Sequence, residues 1–281
     1  MNNYNTPAEI CDIAINAAVG KANMPILKML LLGIAAGAFI AFGAACSAVA
    51  MHNIGDVGIA RLVCGAVFPV GLMLIVMVGG ELFTGNCLMI EGLMEKKISI
   101  LGWLKNLAVV YTGNLIGSAL IAAIVAAANT WGYTDGALGA FTIRVAVTKA
   151  ALPFGTAFAS GILCNVLVCG AVLMAFGARD IVGKILGIWF PIMSFVLAGF
   201  KHSIANMYYL FAGLFASFNT KFVDKAAELY NIGTDKIANL DFFGFCTNLV
   251  PVTLGNIVGG VALGFVMWMA FKSKAFNKPA T

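Results

Sequence analysis

The sequence predicts an all-α membrane protein in which six transmembrane helices form two inverted three-helix repeats, with the second and fifth helices broken. Three observations support this prediction. The chain has 281 residues, of which 61% are hydrophobic and 10% charged, and its mean hydropathy is +0.97, a composition typical of proteins in lipid. Six apolar runs reach the length of about 20 residues that crosses a hydrocarbon core. A series of motifs also occurs twice in the same order.

The apolar runs locate the predicted spans. They occupy residues 26–50, 62–89, 107–128, 154–176, 185–215 and 250–271. We expect a single transmembrane domain over residues 1–281, divided into an N-terminal surface helix (1–25), a first repeat (26–128), a second repeat (140–272) and a C-terminal tail (273–281). Glycines four residues apart, as at Gly33 and Gly37, are typical of helices that pack closely in lipid.

The N-terminal segment carries the signals of a helix. Thr6 can cap its start, Pro7 suits the first helical position, and Glu9 completes a capping box. Its apolar flank, which we expect to lie on the membrane surface, consists of Ile10, Ile13, Ala14, Ala17 and Ala18. A flexible tail is the alternative interpretation.

The motif series that occurs twice predicts the inverted repeats. The first copy consists of Phe68-Pro69, residues 79–86 and residues 113–118, and the second of Phe190-Pro191, residues 199–206 and residues 255–260. Because each copy contains an odd number of spans, the copies have opposite orientations in the membrane. Glycines and prolines break both long spans at matching places, which is tolerated where protein or a water-lined cavity satisfies the backbone. Matched breaks therefore indicate a pathway, and two simple proline kinks are the alternative.

The two breaks carry polar side chains between apolar neighbours. They are Glu81, Thr84 and Asn86 at the first break, and Lys201, His202, Ser203 and Asn206 at the second. Ionisable groups in the membrane are costly unless they are paired or hydrated, which favours a functional role. Glu81 and Lys201 occupy matching positions, and either pair with each other or each lie near an inner mouth.

His202 and Lys149 each allow two interpretations. His202 is either a hydrogen-bonded core residue or a pathway residue that exchanges protons at physiological pH. Lys149 is either an interfacial lysine that extends to water or a cation that attracts anions into a narrow vestibule.

Charge and motif content narrow the function further. Lysine and arginine are more frequent in the segments that lie inside if the N-terminus is cytoplasmic, so we expect both termini inside a bacterial-type plasma membrane. No basic run is interleaved with aromatic residues, which argues against nucleic-acid binding. The seven cysteines lack metal-ligand spacing. Since no nucleophile motif or second carboxylate accompanies Glu81, an enzyme is not expected, and neither a metal nor a cofactor is implied.

Four motifs together resemble the formate/nitrite transporter family over nearly the whole chain, from Thr6 to Phe271. They are residues 81–86, 161–165, 201–207 and 251–256. The resemblance implies an aquaporin-like protomer of six spans, a homopentamer, and one pore through each protomer. It also implies a channel for small monovalent anions of weak acids, namely formate, nitrite or hydrosulfide. A proton-coupled secondary transporter of the same anions is the alternative.

The resemblance assigns roles to individual residues. The polar pathway residues are Thr84, His202, Lys149, Asn165, Asn256 and Lys201. Thr84 and His202 form a central pair within hydrogen-bonding range, and Lys149 lies in the vestibule. Lys201 stands where formate channels carry glutamate, which is similar to the hydrosulfide channels. The hydrophobic constrictions are Phe68, Leu72, Leu82, Phe83 and Phe195. Because such constrictions make the dehydration of an anion costly, we expect an anion drawn in by Lys149 to be protonated, directly or through water with help from His202, and to cross as the neutral acid.

Overall fold

A computed structural model of the chain describes residues 4–273. Within this range the α-helices are α1 (Pro7–Ala22), α2 (Ile26–Met51), α3 (Val57–Val67), α4 (Val70–Val78), α5 (Phe83–Asn86), α6 (Ile90–Met94), α7 (Ile100–Ala127), α8 (Ala137–Ala150), α9 (Phe154–Gly177), α10 (Ile181–Ala198), α11 (Ser203–Ala216), α12 (Thr220–Tyr230), α13 (Thr234–Ile237) and α14 (Phe242–Phe271). Short 3-10 turns lie at Cys87–Met89 and Thr130–Gly132. Residues 1–3 of the predicted surface helix and residues 274–281 of the predicted tail lie outside the described residues.

The six predicted spans are confirmed. The helices of the described chain that are long and apolar enough to cross a membrane are Ile26–Met51, Val57–Val78, Ile100–Ala127, Phe154–Gly177, Ile181–Ala198 and Phe242–Phe271. The third and sixth spans begin before the predicted residues 107 and 250. Polar residues end the apolar run there without ending the helix, because Asn106 and Asn248 are fully buried and hydrogen-bonded inside the protein.

Small residues allow close contact within each repeat. In the first repeat α2 packs along α7, and a Cβ added at Gly37 or Gly117 would overlap a carbonyl oxygen of the opposite helix. In the second repeat α9 packs along α14, and Gly255 and Gly259 meet carbonyl oxygens of α9 in the same way. The close packing predicted for Gly33 and Gly37 is therefore confirmed, and it occurs in both repeats.

Each repeat contains one span that is interrupted at a glycine. Helix α4 ends before Gly79 and α5 begins at Phe83, while α10 ends before Gly199 and α11 begins at Ser203. The φ angles of the two glycines are 112° and 75°, a region that residues with a Cβ rarely adopt. In both repeats the chain therefore leaves a helix through a glycine and starts a new helix after a short extended segment.

The N-terminal helix α1 docks on the protein itself. The predicted capping box is present, since the Thr6 hydroxyl accepts from the backbone N–H of Glu9 and the Glu9 carboxylate accepts from that of Thr6 at 2.7 Å. The buried flank of α1 contacts α6, α9 and α14 and consists of Cys11, Ala14, Ile15 and Ala18. This flank is rotated from the predicted one, because the helix packs against α6, α9 and α14.

Different helices lie at the two membrane-facing ends of the spans. Asp12 on α1 forms an ion pair with Lys272 at 2.6 Å, so both ends of the described chain lie at one face. We call this face the inner face, after the orientation that the charge bias predicts. Helices α8, α12 and α13, which the apolar pattern did not predict, pack together at the outer face. Each helix is too short to span a bilayer, which takes about 20 residues.

Candidate functional site

The two interrupted spans meet through Thr84 and His202. The Oγ1 atom of Thr84 and the Nε2 atom of His202 are 2.9 Å apart, and both side chains are buried. Thr84 lies on α5, directly after the first break. His202 is the N-cap of α11, directly after the second break. The structure thus places the predicted central pair in direct contact.

The N-cap fixes the tautomer of His202. Its Nδ1 atom accepts a hydrogen bond from the backbone N–H of Ala205 at 3.1 Å, so Nδ1 carries no proton. In a neutral imidazole the proton is then on Nε2, which donates to the Thr84 hydroxyl. The Thr84 hydroxyl keeps its own proton for a further acceptor. Protonation of Nδ1 would break the cap of α11 and is therefore opposed by the fold.

Two asparagines hold the backbone of the breaks. Asn256 Nδ2 donates to the carbonyls of Gly161 and Lys201 at 2.8 and 3.0 Å, and its Oδ1 accepts from the backbone N–H of Ser203 at 2.9 Å. Asn114 makes the three matching contacts in the first repeat, at 2.8, 2.9 and 3.0 Å. These buried amides satisfy backbone groups that the missing helical turns leave free.

Asn165 connects the second repeat to the central pair. Its Nδ2 donates to the carbonyls of Thr84 and Asn256 at 3.1 and 2.6 Å. Its Oδ1 has no hydrogen-bond partner among the described residues. Asn165 and Asn256 are both fully buried and contact backbone, so they position the central pair rather than line the cavity beside it.

A cavity of about 590 Å³ reaches His202 from the outer face. We call this cavity the outer vestibule. The charged side chains that line it are all cationic, and they are Arg61, Arg144, Lys149 and Lys201. Among the described residues of the lining, none is an aspartate or a glutamate. Fixed positive charge between low-dielectric walls raises the local concentration of anions.

Lys149 faces the outer vestibule. Its Nζ donates a hydrogen bond to Oδ1 of Asn206 and lies 4.8 Å from the ring centroid of Tyr209. The residue is half-buried, so it does not extend along the membrane surface to bulk water. Its ammonium therefore lies at the wall of the outer vestibule.

Lys201 and Glu81 lie apart, which corrects both alternatives stated for them. Lys201 Nζ donates to the carbonyl of Gly199 at 2.8 Å and lines the outer vestibule. Glu81 forms an ion pair with Lys21 of α1 at 2.6 Å and accepts from Asn86 at 2.7 Å. Because the repeats are inverted, matching positions face opposite sides of the membrane, so Lys201 neither pairs with Glu81 nor lies near the inner mouth.

Lys21 is a site residue that the apolar pattern did not indicate. It is the counterpart of Lys149, since each lies in the last turn of a helix, α1 and α8 respectively. The signal was present as Lys-Ala-x-x-Pro, which occurs at 21–25 and again at 149–153. The contacts also match, because Asn106 Nδ2 donates to the Lys21 carbonyl and Asn248 Nδ2 to the Lys149 carbonyl, at 3.3 and 2.8 Å.

Aromatic rings form the floor of the outer vestibule. Phe68 and Phe195 pack edge to face with ring centroids 5.7 Å apart, and Phe195 stacks on the His202 ring at 5.9 Å. Leu72, Leu82 and Phe83 are also buried but do not line this cavity. The predicted constriction residues therefore fall into two groups, one at the vestibule floor and one beyond it.

Comparisons with known proteins give a consistent result. The sequence profile described as Formate/nitrite transporter matches residues 8–270. The chain is 36% identical to a probable formate transporter of Methanothermobacter thermautotrophicus, over 96% of this chain and 98% of that protein. It is 34% identical to the formate channel BtFdhC of Bacillus thuringiensis, over 98% of each. A solved pentameric formate channel with formate bound superposes with a TM-score of 0.78 at 33% identity, over 88% of this chain and 98% of that chain.

Proposed function

Because the chain belongs to the formate/nitrite transporter family, we propose that this multi-pass membrane protein is a channel for small monovalent anions of weak acids. Formate, nitrite and hydrosulfide are the candidate substrates. The observation that carries the proposal is the Thr84–His202 hydrogen bond directly beyond a vestibule lined by cations. Lys201, in place of the glutamate of formate channels, makes hydrosulfide a substrate to be compared with the other two.

The first step is electrostatic. An anion enters the outer vestibule, where Lys149 and its cationic neighbours lower the free energy of negative charge. The half-buried ammonium of Lys149 is held by Asn206 and the Tyr209 ring, and neither partner neutralises it. Burial lowers the pKa of Lys149 to about 7, and an anion that approaches stabilises the charged form of the side chain.

The second step removes the charge before the aromatic floor. Phe68 and Phe195 offer no hydrogen bond to replace lost water, so a bare anion stalls there. A hydronium ion that reaches the vestibule from the outer solution gives up its proton to the anion, which leaves the neutral acid and one water molecule. His202 assists by donating from Nε2 to Thr84, which leaves the Thr84 hydroxyl proton to hydrogen-bond the acid as it passes. Because His202 Nδ1 caps α11, the imidazole serves as a neutral hydrogen-bond donor, and the proton that neutralises the anion comes from the outer solution through the vestibule water.

A solved relative supports an oligomeric assembly. The solved relative is described as a pentameric formate channel, and we infer a homopentamer with one pore in each protomer for this chain. Large apolar side chains such as Leu27, Leu101 and Phe190 are exposed on the single protomer, as lipid or neighbouring subunits require. The inferred location is a bacterial-type plasma membrane, with both termini in the cytoplasm.

Proteoliposome flux tests the proposal. The three anions are compared side by side, and Lys149→Glu should lower the flux of the preferred anion at least about tenfold, because the charge at the vestibule is reversed. Lys236→Glu is the matched control, since Lys236 is exposed on α13 and does not line the vestibule. The flux through this variant should equal that of the parent. Flux of Lys149→Glu within twofold of the parent would remove Lys149 from the mechanism.

The same assay separates a channel from the alternative, a proton-coupled transporter of the same anions. A channel equilibrates the anion or its acid down its own gradient. A coupled transporter accumulates the anion above equilibrium when a proton gradient is imposed. A weak acid that crosses only as the neutral species also accumulates on the alkaline side, to a level set by the pH difference. Accumulation above that level would contradict the channel and favour the transporter.

A further inference from the structure

The outer vestibule holds more positive charge than one monovalent anion requires. Four cationic side chains line it, and none of the four pairs with a carboxylate in the ion pairs of the described residues. We propose that the outer vestibule is a binding site for a small dianion, such as sulfate or a short dicarboxylate, which the protein holds but does not pass. The binding depends on the vestibule alone, whereas its effect on flux rests on the proposed channel function.

Two of the cations converge on one glycine. The Arg61 guanidinium lies against Gly199, where an added Cβ would be 3.0 Å from Nη1. Lys201 Nζ donates to the carbonyl of the same residue at 2.8 Å. Arg61, Lys201 and Lys149 all line the outer vestibule. Three cationic side chains therefore lie on the wall of one cavity.

The partners of these cations are neutral. The Arg144 guanidinium lies 4.7 Å from the ring centroid of Tyr230, and Lys149 Nζ lies 4.8 Å from that of Tyr209. Aromatic faces and carbonyl dipoles hold a cation in place but leave its net charge. Like charges repel each other most where water is partly excluded. Because none of the described lining residues is an aspartate or a glutamate, a bound dianion would supply the missing negative charge.

The inner side of the same repeat pattern lacks this excess. At the position that matches Lys201, Glu81 pairs with Lys21 at 2.6 Å, which gives a neutral pair. The excess of positive charge is therefore found only in the outer vestibule among the described sites at the two breaks. The break of the first repeat forms without such an excess, so the interruption of a span does not require it.

A dianion bound there cannot follow a monovalent anion through the protein. One proton converts formate to a neutral acid, but one proton leaves a dianion charged. Phe68 and Phe195 at the floor make passage of a charged species costly. A bound dianion therefore occupies the vestibule and competes with the permeant anion from the outer side.

Direct binding tests the site without any flux. Isothermal titration calorimetry of the purified protein in detergent compares sulfate with methanesulfonate, which has a similar tetrahedral head and one charge fewer, at matched ionic strength. We expect sulfate to bind at least about tenfold more tightly. Arg61→Gln should weaken sulfate binding at least about fivefold, Arg61→Lys should stay within twofold of the parent, and Lys236→Gln should leave binding unchanged.

Three results would overturn the proposal. They are no heat of sulfate binding, equal affinity for methanesulfonate, and equal sulfate affinity in the parent and in Arg61→Gln when thermal melting shows both to be folded. In proteoliposomes, external sulfate should inhibit formate uptake with the same order of potency among these variants. If none of the three monovalent anions crosses, the proposed function fails, while the calorimetry still decides the dianion site.

Discussion

Replacement of Asn256 by alanine should destabilise the protein and disable the pathway together. The substitution removes two hydrogen bonds to carbonyls, at 2.8 and 3.0 Å, and one from a backbone N–H, at 2.9 Å. The Gly161 carbonyl lies within helix α9. Loss of its hydrogen bond from Asn256 should therefore cost little free energy of unfolding, about 0.6 kcal/mol by the average for interhelical hydrogen bonds in membranes. Lys201 O and Ser203 N lie at the break, where a buried group without a partner costs about 1–3 kcal/mol. The sum is about 3–7 kcal/mol.

Thermal unfolding in detergent and anion flux measure the two consequences. A loss of this size lowers Tm by roughly 6–28 °C in a protein of this length. The backbone at the second break would no longer be held, and flux should fall at least about tenfold because His202 and Ser203 lie at this break. Asn16→Ala is the matched control, since Asn16 is exposed on α1, and both readouts should stay near the parent. A Tm within 2 °C of the parent with full flux would refute the role of Asn256 in holding the break.

The remaining predictions concern helix packing and pH. Gly117→Val should prevent close contact of α2 and α7, because an added Cβ would overlap the Ile34 carbonyl. We expect a loss of about 3 kcal/mol in thermal unfolding, at the upper end of the usual cost of overpacking, and an unchanged Tm would contradict this expectation. Glu91 lies outside the spans, is fully buried, accepts from Cys11 Sγ at 3.0 Å and has one oxygen without a partner among the described residues. Burial raises the pKa of Glu91 to about 7, above its value in an unfolded chain. Its contribution to stability is therefore greatest at acidic pH and is lost as the pH rises toward and through 7. Glu91→Gln should stabilise the protein at pH 8 by about 2–3 kcal/mol and flatten the dependence of Tm on pH between 5 and 8, whereas an unchanged pH slope would show that another group is responsible.

The sequence predicted the existence of the six spans because a segment must be apolar over about 20 residues to cross a hydrocarbon core. The same criterion misplaced the starts of α7 and α14, where Lys105, Asn106 and Asn248 end the apolar run. Buried asparagines that bond across the protein are compatible with a helix at that depth, and hydropathy does not distinguish them from loop residues. Helix α8 was missed because it is shorter than a span and its apolar residues face other helices on most sides.

The site was predictable where the motifs carry it and unpredictable where partners come from another element. Thr84 and His202 were found from matched breaks and the family motifs. The ion-pair partner of Glu81 was not predicted. Because the repeats are inverted, the matching residue Lys201 lies at the opposite face, and Glu81 pairs with Lys21 of α1 instead. Comparison of residues 21–25 with 149–153 would have extended the repeat to α1 and α8.

If two mirrored, interrupted spans bring Thr84 and His202 together on the pathway, the two side chains act on the permeant acid as one unit. A double-mutant cycle in proteoliposome flux measures whether they do. Thr84→Val removes the hydroxyl, and His202→Asn removes the Nε2 donor but keeps a residue that caps helices well. We predict that each single variant lowers flux at least about tenfold, and that the double variant is no worse than the poorer single one. Full flux in either single variant, or effects that multiply in the double variant, would contradict it.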